Sequence, residues 1–252
     1  MSRQVSDTGK ILAVIPAYNE EASISGVVAS IQSEDPHIDI LVVNDGSKDR
    51  TGEIARSIPG VHVIDLPCNL GIGGAVQAGF KYAGRENYEI AFQFDGDGQH
   101  LASEIPRLLD PIRSDSADVV IGSRFSGHST GYRSTLARRM GIGIFSLVNS
   151  MIVGRRITDN TSGFRAYNRE AIVFLAKNYP MDYPEPEAVI ILGRNGFRIV
   201  EAPVAMRDRM GGRSSINGLR SLYYMVKVLL AIGVNVIRPK LKRRGNSADD
   251  QR

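Results

Sequence analysis

Short apolar runs alternate with helical patterns through the first half of the chain. The runs fall at residues 11–15, 40–43, 61–64, 90–94 and 119–121, and each has the length and the Ile/Val content of a buried strand. Helical spacing of apolar positions occupies the intervals at 20–32, 50–57, 72–83 and 103–113. This alternation predicts an α/β fold, a mostly parallel sheet with helices on both faces. The second half is less regular, with an amphipathic stretch at 136–153, a loop at 158–165, and helices near 169–177 and 185–195. There is no internal repeat. Ligands of parallel sheets bind beyond the carboxyl ends of the strands, so the residues following each run carry the information about chemistry.

Those residues are polar and acidic. Pro16-Ala17-Tyr18-Asn19-Glu20 follows the first run, Asn44-Asp45-Gly46-Ser47 the second, and Asp95-Gly96-Asp97-Gly98-Gln99-His100 the fourth. Asp95 and Asp97 bracket one glycine at a turn, and paired hard oxygen ligands there suit Mg²⁺ or Mn²⁺ that also binds substrate phosphates. The plainer alternative is that both are turn formers beside Gly96 and Gly98. Asp45 is placed to accept hydrogen bonds from a base or ribose, whereas Asp49 reads as a helix cap. Gly71, in Leu70-Gly71-Ile72-Gly73-Gly74, lets backbone at a helix start approach a ligand closely. His100 lies close enough to reach a metal, but the four histidines have no ligand spacing.

Composition narrows the picture. With 252 residues and 42% hydrophobic content the chain supports one sizeable core with tails. The net charge of +4 is concentrated in Arg238, Lys240, Lys242, Arg243 and Arg244. A lone cysteine, Cys68, excludes an internal disulfide framework. Residues 1–9 are polar, lack a secretory apolar run and are expected to be flexible. No window reaches the roughly 20 uninterrupted apolar residues of a membrane span. Residues 219–237 place Leu222, Tyr223, Val226, Leu229, Leu230 and Val234 at helical spacing ahead of the basic cluster. With that cluster, residues 218–244 read as an amphipathic helix lying on the inner face of a membrane, followed by a disordered tail at 245–252. The alternative is a core-packed terminal helix with a solvated basic tail. No nucleic-acid-binding module or aromatic-interleaved basic face is present, and Trp is absent, so nucleic acid is excluded as a partner.

Taken jointly and in order, the motifs at 15–20, 43–47 and 69–71, together with Asp95-Gly96-Asp97-Gly98-Gln99-His100 and Gly122-Ser123-Arg124-Phe125, resemble the family 2 glycosyltransferases. The similarity is greatest to the dolichol-phosphate mannosyltransferase and polyprenyl-phosphate glycosyltransferase branch and covers residues 10–217. It implies a GT-A fold over that range and an inverting transfer from a nucleoside diphosphate sugar. Pro16, Tyr18, Glu20 and Asp45 would hold the nucleoside, and Asp95 and Asp97 the metal. Asp159 in Thr158-Asp159-Asn160-Thr161-Ser162-Gly163-Phe164-Arg165 matches an acceptor-side loop and is the first candidate base, with Glu187 and Glu185 behind it. Arg209, Gly212 and Ser214 match a segment whose arginine meets the diphosphate, with Arg213 beside it, and Arg124 is a further phosphate-binding candidate. Ser215 stands where dolichol-phosphate mannose synthases usually carry lysine, and Arg213 replaces an acidic residue. With Tyr183-Pro184-Glu185-Pro186-Glu187, these departures weigh against a mannosyl donor and dolichol and favour a bacterial envelope pathway; the donor is expected to be UDP-linked. The implied acceptor is polyprenyl phosphate or a lipid-linked glycan, with a small membrane protein as an optional partner. The alternatives are the same donor with a non-lipid saccharide acceptor, a non-catalytic nucleotide-sugar-binding scaffold, and a nucleotidyltransferase.

Overall fold

A computed structural model describes residues 9–125 and 157–207, with isolated positions at 150, 154 and 233. The expected amphipathic stretches at 136–153 and 218–244 lie almost wholly outside the described residues, as do Arg209, Arg213 and Ser214.

Seven strands form one sheet in the order β3-β2-β1-β4-β6-β5-β7. They are β1 (Ile11–Ala17), β2 (Ile38–Asn44), β3 (Val61–Asp65), β4 (Ile90–Gln93), β5 (Val119–Ser123), β6 (Arg165–Asn168) and β7 (Ile199–Pro203). β1 runs parallel to β2 and β4, β2 to β3, and β5 to β7, while β6 is antiparallel to both β4 and β5. The helices are α1 (Ile24–Glu34), α2 (Thr51–Ser57), α3 (Gly71–Arg85), α4 (Ile105–Arg113), α5 (Arg169–Asn178) and α6 (Pro184–Arg194).

Alternation along the strands divides the core into two layers. Ala13, Ile15, Ile40, Val42 and Phe92 face α1, α2 and α4, whereas Leu12, Val14, Leu41, Val43 and Ala91 face α3, α5 and α6. Both faces are covered, which is why these strands read as continuous apolar runs. α3 rides directly on β1: a Cβ added at Gly79 would come 2.3 Å from Val14 Cγ1.

Three expectations need correction. The first helix begins at Ile24, not at residue 20. The region 158–165 does not end as loop, because Arg165 opens β6. The apolar-run pattern also missed β6 and β7, of which β6 is the antiparallel strand. Each has a physical reason: residues 19–21 bond to a neighbouring loop, and the two late strands carry Arg165 and Glu201 within them.

Candidate active site

The carboxyl ends of β1, β2 and β4 open onto a cleft of about 320 Å³. Pro16, Tyr18, Glu20, Asp45, Gly71, Asp95 and Asp97 all line it, with Ala17, Asn69, Ile72, Ala75 and Gly96. Pro16 lies beyond the last β1–β4 pair, Val14↔Gln93, so its missing N–H interrupts no ladder on that side.

Hydrogen bonds between the loops after β1 and β2 make this rim rigid. Asn19 and Glu20 donate backbone N–H groups to Ser47 Oγ (3.1 Å) and Thr51 Oγ1 (2.8 Å). Glu21 donates to Asp49 Oδ2 (3.1 Å), Lys48 N–H donates to Asn19 Oδ1 (2.8 Å), and Arg50 N–H to Glu21 Oε2 (3.1 Å). Asp49 therefore accepts across the loops as well as from Thr51 N–H (3.0 Å). Asp45 is fixed from both directions: its N–H donates to Ala17 O (2.9 Å) and its Oδ1 accepts Leu70 N–H (2.7 Å). Gly46 adopts φ +67°, and a Cβ there would meet the Cys68 carbonyl carbon at 2.7 Å, so only glycine permits this turn.

The acidic end of the cleft is equally constrained. Asp95 Oδ1 accepts from Gln93 Nε2 (2.9 Å), and Asp97 Oδ1 accepts Gln99 N–H (3.1 Å). His100 is not arranged as a free metal ligand. Its Nδ1 accepts Asp95 N–H (3.0 Å), and its ring stacks on Phe164 at 4.8 Å and meets Phe94 edge-on. Burial holds the imidazole pKa below its ordinary value, opposed by Asp95 and Asp97. Its Nε2 lies 3.5 Å from Asp95 Oδ2, which makes it a support behind that carboxylate.

Among the described residues no group of three His, Cys, Asp or Glu side chains could hold a metal by itself. Two carboxylates facing one cleft fit a divalent cation that completes its shell with substrate phosphates and water. A site enclosed by protein would need more ligands.

Of the other described candidates, Asp159, Glu187 and Arg124 are not among the residues that line the cleft. Asp159 is fully buried and forms a bidentate pair with Arg124, Nε to Oδ2 and Nη2 to Oδ1, both 2.7 Å. Burial opposes its ionisation, but the Arg124 hydrogen bonds and charge outweigh this and hold the carboxyl below its ordinary range. Such a group is a weak proton acceptor. Glu187 is buried in the first turn of α6. Burial pushes the nearby Glu185 carboxyl up, against the pull of Arg165. Arg165 is 1% exposed and donates to the carbonyls of Asn160 (2.9 Å), Ser162 (2.7 Å) and Glu185 (2.7 Å), tying the acceptor-side loop to α6. The pattern missed Glu201, whose carboxylate on β7 accepts from Thr158 and Asp159. Nothing local in the sequence marks a lone acid within a short strand.

Comparison with known proteins gives the geometry a context. Residues 12–174 match the family described as Glycosyl transferase family 2. The chain is 34% identical over 236 residues to polyprenol monophosphomannose synthase of Mycolicibacterium smegmatis, covering 89% of this chain and 87% of that one. It is 32% identical to undecaprenyl-phosphate mannosyltransferase of Micrococcus luteus, with 83% and 88% covered. It is also 32% identical to UDP-N-acetylglucosamine–dolichyl-phosphate N-acetylglucosaminyltransferase of Methanococcus voltae, with 77% and 84% covered. Glucosyl-3-phosphoglycerate synthase of Mycobacterium tuberculosis, solved with Mn²⁺, UDP and phosphoglyceric acid, superposes with TM-score 0.66 at 20% identity, covering 92% of this chain and 80% of that one. The mannosyltransferase PcManGT of Pyrobaculum calidifontis, with GDP-Man and Mn²⁺, gives TM-score 0.62 at 16% identity, with 92% and 65% covered. A GT-A sheet that gathers the motif residues of its first half on one cleft, and a match running through most of that domain, make this chain a member of glycosyl transferase family 2.

Proposed function

We propose that this protein transfers a sugar, with inversion, from a UDP-linked donor to polyprenyl phosphate or a lipid-linked glycan in cell-envelope polysaccharide synthesis. The observation that carries the reading is the convergence of Pro16, Tyr18, Glu20, Asp45, Gly71, Asp95 and Asp97 on one cleft, in a chain whose relatives are named for polyprenyl- and dolichyl-phosphate transfer. The Methanococcus voltae relative, named for UDP-N-acetylglucosamine, supports the choice of base.

In this reading Asp45, Tyr18 and Glu20 hold the nucleoside while Asp95 and Asp97 hold Mg²⁺ or Mn²⁺. The bound cation supplies positive charge against the leaving diphosphate. Arg209, Arg213 and Ser214 follow closely after Arg207, whose N–H donates to Gln99 O (2.8 Å) beside Asp97, and this tether supports a diphosphate role for the segment. The acceptor oxygen attacks the anomeric carbon as its bond to the diphosphate breaks. A phosphate acceptor is already ionised and needs no base. A hydroxyl acceptor needs one; of the two candidates, Asp159 is occupied by its pair with Arg124, which leaves Glu187.

Residues 10–217 form the catalytic unit in this reading, and residues 218–244 bring it to the inner face of the plasma membrane, with or without a small membrane protein. Among the described residues no helix is long and apolar enough to cross a membrane.

The test is a panel of nucleotide-sugars incubated with protein, Mn²⁺ or Mg²⁺ and undecaprenyl phosphate, scoring organic-phase sugar and free nucleotide separately. Sugar in the organic phase from a UDP donor is the expected result. Free nucleotide without lipid label points to another acceptor, and label only from a GDP donor overturns the choice of base. Asp97→Asn is expected to abolish metal-dependent turnover with the fold intact, and undiminished activity rejects the metal assignment.

A further inference from the structure

Two carboxylates, Glu201 and Asp159, act in series behind the acceptor side of the site. Glu201, on β7, accepts Thr158 N–H (2.8 Å) and Asp159 N–H (2.7 Å) on Oε1, and the Thr158 hydroxyl (2.7 Å) on Oε2. Both residues of this turn are therefore pinned to the sheet by one side chain. Asp159 then takes Arg124 bidentately, and its Oδ2 also accepts Arg124 N–H at 3.1 Å. Arg124 Nη2 donates further to Thr161 Oγ1 (2.8 Å), and its guanidinium carbon lies 5.5 Å from the Phe125 ring centroid.

The series leads to the Arg124 guanidinium. The Arg124 side chain remains 16% exposed, whereas that of Asp159 is 0% exposed. Arg124 immediately follows β5, at the sheet edge where the cleft also opens. A guanidinium meets phosphate with directional N–H donors, so the orientation these contacts impose matters as much as its charge.

We propose that Glu201 and Asp159 are positioning residues acting in series, through the Thr158–Asp159 turn, to preset Arg124 as a phosphate-binding group. The proposal rests on the glycosyltransferase reading above, which supplies two phosphates: the donor diphosphate and the acceptor lipid phosphate. Asp159 in this role moves no proton. Its depressed pKa is a by-product of holding the guanidinium.

The experiment measures KM for the donor at saturating acceptor and for undecaprenyl phosphate at saturating donor, with kcat, in Glu201→Gln, Asp159→Asn and Arg124→Lys. Thr158→Val and Thr158→Ser are compared beside them. Losing a hydrogen bond to a charged group should raise one KM about ten-fold with kcat within about three-fold. A rise confined to undecaprenyl phosphate assigns Arg124 to the acceptor, and a rise confined to the nucleotide-sugar assigns it to the donor. Thr158→Ser keeps the hydroxyl and should retain wild-type KM, whereas Thr158→Val, which removes one of the three bonds to Glu201, should raise the same KM as Glu201→Gln but by less. The acid limb of the pH–rate profile should persist in Asp159→Asn.

Loss of that limb with both KM values unchanged makes Asp159 a base and overturns the proposal, as does wild-type kinetics in Glu201→Gln. If Asp159→Asn fails to fold, the Thr158 pair decides alone. Calorimetric titration with UDP plus Mn²⁺ and with farnesyl phosphate separates the two levels. Wild-type protein binding neither ligand sinks the glycosyltransferase reading and this role with it. Wild-type binding that Glu201→Gln leaves unchanged overturns the positioning role only.

Discussion

Gly163 has no room for a side chain. A Cβ there would sit 2.7 Å from Gln93 Nε2 and 3.0 and 3.1 Å from the two carboxylate oxygens of Asp95. The backbone at Gly163 thus closes over Asp95, the carboxylate proposed to hold the metal, and Gly163→Ala must push one of them aside. We expect Gly163→Ala to weaken Mn²⁺ binding at least ten-fold, read from the free-ion signal in electron paramagnetic resonance, while far-ultraviolet circular dichroism is unchanged. Asp159 yields a second expectation at this scale. Its folded pKa lies below its ordinary 3.8, so its contribution to stability is complete above that value and fades as pH falls through the folded pKa. Asp159→Asn should therefore lower Tm markedly at pH 7 and progressively less as the pH approaches 3. An equal loss at both extremes would mean that packing, and not the ion pair, sets the cost.

At the scale of elements, the two loops laced after β1 and β2 behave as one rim. Thr51 joins them, accepting Glu20 N–H and donating to Asp49. Thr51→Val preserves shape but leaves Glu20 N–H without its acceptor, at a cost of about 1 kcal/mol or more. UDP affinity should fall roughly five-fold, in a titration with Mn²⁺ present, and an unchanged affinity would show the rim to be dispensable. α3 offers a packing test: Phe80 is fully buried between Tyr167 and Tyr179, and Phe80→Ala should cost about 3–5 kcal/mol in urea denaturation.

The same elements explain what was legible beforehand. β1, β2 and β4 are covered on both faces, so their sequences are unbroken apolar runs, and the cleft residues follow directly from where those runs stop. The first helix was drawn four residues too early because Glu20 and Glu21 resemble a helical first turn, yet their N–H groups serve the neighbouring loop. β6 was illegible: Arg165 in its first position is buried by donating to three carbonyls, which no periodicity reports. The Arg124–Asp159 pair spans 35 residues, and Glu201 stands 42 beyond Asp159. Local pattern carries no trace of contacts so distant.

At the scale of the whole molecule, the catalytic sheet and the basic segment are separate propositions. If Arg238, Lys240, Lys242, Arg243 and Arg244 contribute about 1 kcal/mol each at an anionic surface, replacing all five by serine should abolish flotation with phosphatidylglycerol vesicles at physiological salt. Transfer to a short, water-soluble prenyl phosphate should survive, and flotation that persists would reject the electrostatic part of the membrane reading. The antiparallel direction of β6 bears on a different question. Because β5 ends at the sheet edge where β6 begins, Arg124 and Asp159 meet at the same edge onto which the cleft opens, and Gly163 reaches Asp95 from there. A change in the register of β6 against β4 would therefore shift Arg165 and the turn that precedes it relative to Asp95, so strand pairing and the shape of the cleft can only vary together.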